Sequence, residues 1–596
     1  MGSADAAIRV PVGEDAERWT SRTTQRRVLL VVHNVTSAGR LLDVLPLFHD
    51  DFRVQLLVTC TGSSAFQGGV RELFAELQLP VLPWEQALST PVDLAISASF
   101  GGQLADIQGK LAVLSHGVGY TKKLASREPG AGSREPGAGS REPGAGSREP
   151  GAGSREPTFG LAPDWLLSGG EPYVDALVLS HPEQHRRLLR VCPEAAPSAV
   201  LAGDPCYDRM LAARAFRDRF RRALGVRRGQ RLLVLNSTWN PEGLFGDGGR
   251  DDGGAGDLLP SLLPRLAAEL PADGYRLAAV LHPNIWHGHG PGQLRVWLDR
   301  ARRSGLTLID PVHSWRQAIL AADVVLGDFG AVSYYAAALG RPVLLAAADE
   351  RRLDPEAPLA EFVREAPRLD PGAPLTGQLE KVLAGHQPLP GPAEFTSSEP
   401  GASAALLRRR FYALMDLPEP PAPALLEALP LPPHQPPLRT APLYVRTWVH
   451  DRDVGVERTS ELPYGARGVA HLAVHEETRD PAALETADVI TREGPPHDPR
   501  LGTPADWAAE VLDRFPHCAL AAFVTGPGTC TVGHRDHGTL ELTAAPDADA
   551  DPAAYASALH AWLTAGARLP SQEVELTVHL ASGAHLVTVV RRGSPG

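Results

Sequence analysis

The stretch Ala321–Ala346, AADVVLGDFGAVSYYAAALGRPVLLA, restricts the fold of this chain more than any other. Asp323–Leu326 and Pro342–Ala346 are short apolar runs bounded by turn formers, which suits buried strands. Between them Ser333–Leu339 carries helix-forming alanines, and Gly340 with Pro342 closes the helix. The segment therefore reads strand, tight turn, helix, strand. Asp328, Gly330 and Ser333 fall where the first strand ends and the helix begins. In an open parallel sheet that edge is where ligands bind, because the first N–H groups of a helix have no helical partner and attract anions. The same residues also suit an ordinary βαβ unit with a serine N-cap, and the local pattern does not separate the two.

The alternation recurs along the first 416 residues. Arg27–His33 is an apolar strand that runs into His33-Asn34 and a small-residue loop, with a helix expected from Arg40 to about Phe48. Val54–Thr59, Asp93–Ser97, Leu111–Leu114, Asp175–Leu179 and Ala199–Ala202 read as further strands, with a helix over Val70–Leu77. A second series begins at Arg231–Leu235 and continues through Arg276–Leu281 and Leu306–Ile309 to the opening stretch. Such alternation implies a parallel sheet covered on both faces. Two series of similar size imply α/β architecture with two Rossmann-like lobes facing a cleft. No G-x-G-x-x-G follows the first strand, so a dinucleotide cofactor is not expected, and no other cofactor is.

The fourth strand of the first series runs into Ser115-His116-Gly117-Val118-Gly119-Tyr120-Thr121-Lys122-Lys123. A histidine on the loop at a strand's C-terminal end, followed by two glycines, is placed for proton transfer. Gly117 and Gly119 let a substrate approach the backbone, and Lys122 and Lys123 are two of only four lysines in the chain. The alternative is a glycine-containing turn with a surface histidine. Directly afterwards SREPGAG recurs from Ser126, Ser133, Ser140 and Ser147. Seven residues without apolar content cannot bury a core, so 126–157 is expected as a low-complexity surface insertion.

Composition narrows the function classes. Most of the net charge of −12 lies beyond Tyr444, leaving the first 440 residues near neutral, which argues against a nucleic-acid-binding body. Five scattered cysteines fit a reducing compartment. No apolar run is long enough to cross a bilayer and the N-terminus lacks a signal-peptide core, so a cytoplasmic protein without a transmembrane segment is expected. Residues 1–25 are polar and expected to be disordered.

The set Ser115-His116-Gly117, Ser237-Thr238-Trp239, His282-Pro283 and Asp328-Phe329-Gly330-Ala331-Val332-Ser333 resembles, in order and spacing, the CDP-glycerol glycerophosphotransferases of wall teichoic acid synthesis and related capsule polymerases of the two-lobed GT-B fold. The likeness covers about residues 25–415. It implies a transferase of cell-envelope polymer type. A nucleotide-activated donor (CDP-, UDP- or GDP-linked) would lie mainly on the second lobe, with a hydroxyl acceptor, polymer or lipid-linked ones included, on the first. His116 and His282 match the family's catalytic histidines. Ser237, Thr238, Trp239, Pro283, Asn284, Asp328, Phe329, Gly330, Ala331 and Ser333 are its donor side. His33, Asn34, Gly117, Gly119, Lys122 and Lys123 face acceptor or phosphate. Phe329, Gly330 and Ala331 replace a tyrosine and two serines of the family, which removes hydroxyl donors and leaves the backbone N–H groups and Ser333. The family's basic, membrane-attaching features are absent, so only peripheral membrane contact stays open. No metal is needed if protein groups neutralise the leaving group.

Two rivals remain at this point: an epimerase of the kind that acts on UDP-N-acetylglucosamine, which would need acid/base carboxylates in the cleft, and a degenerate lobe pair that only binds. The lobes are expected at 26–224 and 225–416, a Pro-rich semi-rigid linker at 417–440, and a small α+β domain of open role at 441–596. In that domain Cys530, His534 and His537 could be metal ligands, but a solvated β-turn is the simpler reading and no fourth ligand is evident.

Overall fold

The computed structural model describes residues 7–13, 15–115, 117–123, 158–248, 257–462, 468–494, 500, 502–570 and 573–592. His116 and the SREPGAG array lie outside the described residues.

The first sheet contains β1 (Arg26–Val32), β2 (Val54–Cys60), β3 (Val81–Leu82), β4 (Leu94–Ser97), β5 (Lys110–Val113), β6 (Ala176–Leu179) and β7 (Ala199–Leu201). Their order is β3-β2-β1-β4-β5-β6-β7, and every neighbouring pair is parallel. The second sheet contains β8 (Arg231–Ser237), β9 (Tyr275–Leu281), β10 (Thr307–Ile309), β11 (Val324–Gly327) and β12 (Val343–Leu345), in the order β10-β9-β8-β11-β12, again all parallel. Both lobes thus reverse their winding beside the first strand, at β1/β4 and at β8/β11. Such a switch point opens a crevice at the C-terminal strand ends.

The helices that position the cleft are α1 (Val35–Val44), α2 (Pro205–Ala213), α3 (Pro283–His289), α4 (Trp315–Ala321), α5 (Ala331–Ala338) and α6 (Ser403–Leu414). Helix α1 starts five residues before the expected Arg40, because Asn34 and Ser37 form a reciprocal capping box that satisfies the first-turn N–H groups. Cys206, Tyr207 and Met210 of α2 pack into the core of the second lobe, beside Leu232, Val234 and Ile319. In return, Leu407, Phe411 and Tyr412 of α6 pack against Val28, Leu30 and Val32 in the first. Each core is therefore completed by a helix reached through the other lobe.

Three expectations are corrected. Residues 7–13 and 15–25 are not loose. Ile8 and Gln86 exchange a pair of hydrogen bonds of 2.8 and 2.7 Å, and Ile8 and Val12 join the first-lobe core. The Pro-rich 417–440 is a packed strap rather than a spacer. Its carbonyls accept hydrogen bonds from Arg209 (to Glu427), Gln317 (to Pro430) and Arg276 (to Gln435). A proline-rich strand has few N–H donors but keeps every carbonyl, so side-chain donors can hold it.

Residues 443–591 form not a small α+β domain but a closed nine-stranded barrel. Its strands are β13 (Leu443–His450), β14 (Asp453–Thr459), β15 (His471–His475), β16 (Val489–Glu493), β17 (Leu520–Gly526), β18 (Thr529–His534), β19 (Gly538–Ala544), β20 (Glu573–Leu580) and β21 (Gly583–Arg591). Helix α7 (Pro504–Arg514) packs outside. The strands curl round α8 (Pro552–Thr564), whose Ala554, Tyr555, Ala556, Ala558, Leu559 and Trp562 are buried among barrel side chains. A helix apolar on every face must be enclosed, and its alanines keep it slim enough. The barrel docks at the N-terminal end of the second sheet. There the buried Arg458 guanidinium pairs with Asp273 (2.8 and 2.6 Å) and Asp551 (2.7 Å). That edge is opposite the one that opens to the cleft.

Candidate functional site

The C-terminal edges of the two sheets face each other. The loop after β2 and the loop after β5 reach across to the second lobe. Phe66 meets Trp239 with ring centroids 5.4 Å apart. The His287 imidazole lies against Gly69, whose φ of +83° and whose space, with a Cβ only 2.3 Å from the ring, both require glycine. The Lys122 ammonium donates to Asn240 Oδ1 at 3.2 Å and sits 5.9 Å from the Trp239 ring. Enclosure between the lobes pushes the Lys122 pKa down, while Asp328 and Glu242 oppose the shift. The backbone at 121–123 runs antiparallel to 352–354, joined by Lys123 N to Arg352 O (2.9 Å) and Asp354 N to Thr121 O (2.8 Å).

The second-lobe wall is built on Asp328. Its carboxylate spans the β8/β11 switch point. Oδ2 accepts from Thr238 N (2.8 Å), Leu244 N (3.0 Å) and Ser237 Oγ (3.2 Å), and Oδ1 accepts from Gly330 N (3.0 Å). Burial raises its pKa, and these donors work against the rise. Asp328, Phe329 and Ser333 are fully buried. Phe329 belongs to the core, and the Ser333 hydroxyl donates to Asn236 Oδ1 at 3.2 Å. The expectation that these three meet donor phosphate is corrected: with no exposed surface, their side chains shape the wall from behind. Gly330 caps α5 and spends its own N–H on Asp328, so what this turn can offer a ligand is the first backbone N–H groups of α5, from Ala331 onward. On the neighbouring strand end His282 caps α3, and its Nδ1 accepts from Asn284 N at 3.1 Å. That bond puts the ring proton on Nε2 of a neutral His282 and makes Nε2 a donor. Pro283 fills the first helical position, where no N–H is needed, and Asn284 is buried.

The first-lobe wall contains His33, Asn34, Gly117 and Gly119. His33 is buried and bonds through Nε2 to Gly101 O at 2.7 Å, closing its own switch point, and burial pushes its pKa down to about 4. Asn34 spends its side-chain oxygen on the Ser37 N–H (2.9 Å). Both are scaffold rather than open ligand groups, a second correction: His33 is buried, with its Nδ1 left without a hydrogen-bond partner among the described residues, and Asn34 has committed its side-chain oxygen to the helix cap. Gly119 has φ +68°, and a Cβ there would meet Gln184 at 2.3 Å. Ser115, Gly117, Gly119, Ser180, Arg40 and Asp204, with Leu114 and Val178, line a small pocket at the ends of β5, β6 and β7. His116 stands in the chain between two of its lining residues.

Behind this pocket lies a buried charge network joining the lobes. Asp43 of α1 accepts from Arg209 of α2, and both its oxygens accept from Nη2 of Arg316 of α4 (3.0 and 2.8 Å). Arg40 donates to Asp204 (3.3 Å) and to the Tyr335 hydroxyl (2.6 Å), and Tyr335 in turn donates to Asp204. Burial raises the Asp204 and Tyr335 pKa values. Arg40, Tyr335 and Phe66 were not singled out from the sequence. A charged residue inside the apolar stripe of α1 is the only local signal for Arg40, while nothing near Phe66 or Tyr335 marks a partner on the other lobe.

In the barrel, Cys530 and His534 sit on β18 and are buried, so the expected solvated turn is a strand up to His534. His537 follows it, its ring 4.7 Å from that of His534. Among the described residues no group of three or more His, Cys, Asp or Glu is arranged to hold a metal ion, and no helix is long and apolar enough to cross a membrane.

No family model matches the chain, and no curated protein matches it. Among solved structures it is similar to the wall teichoic acid polymerase TagF, at 12% identity and a TM-score of 0.41, over 66% of this chain and 90% of that one. It is also similar to the UDP-GlcNAc 2-epimerase of Methanocaldococcus jannaschii in complex with UDP-GlcNAc and UDP, at 12% identity and a TM-score of 0.40, over 65% and 99% of the two chains. A third likeness is to HepE of Anabaena in complex with UDP-glucose, at 12% identity and a TM-score of 0.30, over 66% and 97%.

Proposed function

We propose that the cleft transfers a glycosyl or glycerophosphate group from a nucleotide-diphosphate-activated donor to an acceptor hydroxyl. The observation that carries this reading is the meeting of two like-wound parallel sheets at their C-terminal edges, with residues of opposite lobes in contact across one cleft. In this reading the donor lies on the second lobe. The first-turn N–H groups of α5, the Nε2–H of His282 and the Lys122 ammonium surround its pyrophosphate and take up the charge of the leaving nucleotide. The acceptor enters over the pocket of Ser115, Gly117 and Gly119. His116 removes its proton as the new bond forms and the bond to the departing phosphate oxygen breaks. Trp239 and Phe66 give the nucleotide base an aromatic edge on which to stack.

The epimerase alternative needs free carboxylates. Asp328 is saturated by donors, Asp204 is held by Arg40 and Tyr335, and Glu242 pairs with Arg352 at 2.8 Å. Asp328 and Asp204 are thus not open for acid/base work; Glu242 spends only Oε1 on Arg352, and its Oε2 has no hydrogen-bond partner among the described residues.

The test is a thermal-shift series with CDP, UDP and GDP and their glycerol or sugar conjugates, followed by turnover assays with a hydroxyl acceptor. Stabilisation by one nucleotide, and turnover that His116→Ala removes while nucleotide stabilisation persists, are the expected results. Absence of a shift with every nucleotide would reduce the lobes to a binding module, and conversion of a UDP-sugar without acceptor would assign an epimerase.

A further inference from the structure

An open cavity lies at the surface away from the cleft. It lies on the back of the first lobe, has a volume of about 410 Å³, and is formed between the N-terminal arm and the turn before β2. Small-molecule sites generally measure roughly 300–1,000 Å³. Trp19 of the arm and Phe52 of the turn line it, and they are 69% and 68% exposed. Two large aromatic side chains left this open on one cavity are unusual, because burying either would be favourable. The arm is firmly placed by the Ile8–Gln86 pair of bonds and by the Gln25 N to Arg53 O bond of 2.7 Å, so the opening is not the product of a detached segment.

The lining chemistry selects an occupant. Among the described residues, two that line the cavity are charged: the Arg22 guanidinium stacks 4.4 Å from the Phe52 ring centroid, and Asp51 holds Arg53 (2.8 Å) and the Tyr412 hydroxyl (2.7 Å). The Arg53 and Tyr412 bonds keep the Asp51 pKa low, so Asp51 is ionised and its charge is offset by Arg53. The remaining polar groups are neutral hydroxyls and an amide, from Thr20, Ser21, Thr24 and Gln55. Flat aromatic faces ringed by neutral hydrogen-bonding groups match a pyranose ring, whose C–H face is apolar and whose rim is hydroxylated.

We propose that this cavity is a saccharide-binding site, separate from the cleft, that holds a neutral hexopyranose chain against Trp19 and Phe52. It opens at the N-terminal end of β2, and the cleft lies at the other end of that seven-residue strand, a separation of about 23 Å at ~3.3 Å per residue. The acceptor pocket lies three to five strands across the same sheet from β2, so a chain bound here would have to run roughly 30 Å to reach it. Its use as an anchor for a growing acceptor rests on the transferase reading; the binding itself does not.

The experiment is affinity electrophoresis of the full chain in native gels cast with dextran, laminarin or galactomannan. Retardation by at least one polysaccharide is expected. Trp19→Ala is expected to raise the apparent dissociation constant at least tenfold and Phe52→Ala to raise it less. Both side chains are exposed, so both variants should keep the wild-type unfolding temperature and the nucleotide thermal shift. Unretarded wild-type protein in all three gels, or equal retardation of the Trp19→Ala variant, overturns the proposal. So does a concentration-dependent dimer that Trp19→Ala dissociates, which would give the cavity to a second copy. Retardation lost in Trp19→Ala without any nucleotide shift in the wild type leaves the saccharide site standing and sinks the transferase reading.

Discussion

The two sides of the contact between the lobes are chemically opposite. At the back, Asp43, Arg209, Arg316, Arg40, Asp204 and Tyr335 meet in a fully enclosed network. At the mouth, Phe66 touches a Trp239 that stays 39% exposed, and Lys122 makes one bond to Asn240. Opening the back would strand charges in a low dielectric, whereas opening the mouth exposes an aromatic edge already half in water. The difference teaches where such a molecule can move: the charged side is the fixed pivot and the aromatic side the entrance.

The largest effect expected from breaking this contrast is at the pivot. Asp43→Ala leaves two buried guanidiniums without their carboxylate and should cost about 3–5 kcal/mol of stability, read as a lower urea midpoint of the lobes. At the cleft itself, His282→Ala should lower kcat about 10²–10³-fold, the cost of losing one preorganised donor, and should reduce the nucleotide thermal shift as well. Acidification comes next. The folded pKa of His33 is about 4 against about 6.5 in an unfolded chain. Between those values the unfolded state binds more protons, so the stability His33 contributes is complete above pH 6.5 and is lost as pH falls towards 4. The loss is on the order of 3 kcal/mol. The barrel, where burial likewise lowers His534 to about 4 and His471 to about 3, should weaken over the same acid range. Urea midpoints at pH 7 and pH 4.5 check the sign. The smallest effect belongs to the mouth. Trp239→Ala should cost about 1 kcal/mol or less, yet hydrogen exchange should quicken in 61–69 and stay unchanged in α1. Equal quickening of α1 would erase the contrast between pivot and mouth.

Much of the α/β body was legible because buried parallel strands are short, apolar and β-branched. Val70–Leu77 is a helix with the expected bounds, and the strand ends at Ser237, His282 and Asp328 stand where the pattern put them. What failed did so for identifiable reasons. Asp328 and Ser333 looked like ligand groups because strand-end polar residues either face a ligand or pin the loops, and spacing does not tell which. The barrel was misread because four of its strands, Asp453–Thr459, His471–His475, Val489–Glu493 and Thr529–His534, mix histidine, glycine and charge into the apolar alternation. Nothing local in the apolar α8 states that strands enclose it. The strap at 417–440 looked free because proline content describes stiffness and not the arginines that grip its carbonyls.

The sequence by itself determined the local alternation of strand and helix, the polar strand ends and the punctuation by glycine and proline, since these follow from side-chain shape and backbone sterics within a few residues. Only the tertiary structure decided which polar groups face solvent, which are consumed behind the wall, and which residues far apart in the chain, such as Phe66 with Trp239 or Arg40 with Tyr335, complete one another. Burial and partnership are properties of the packed whole, where the cost of an unpaired polar group is fixed by its neighbours and not by its place in the chain.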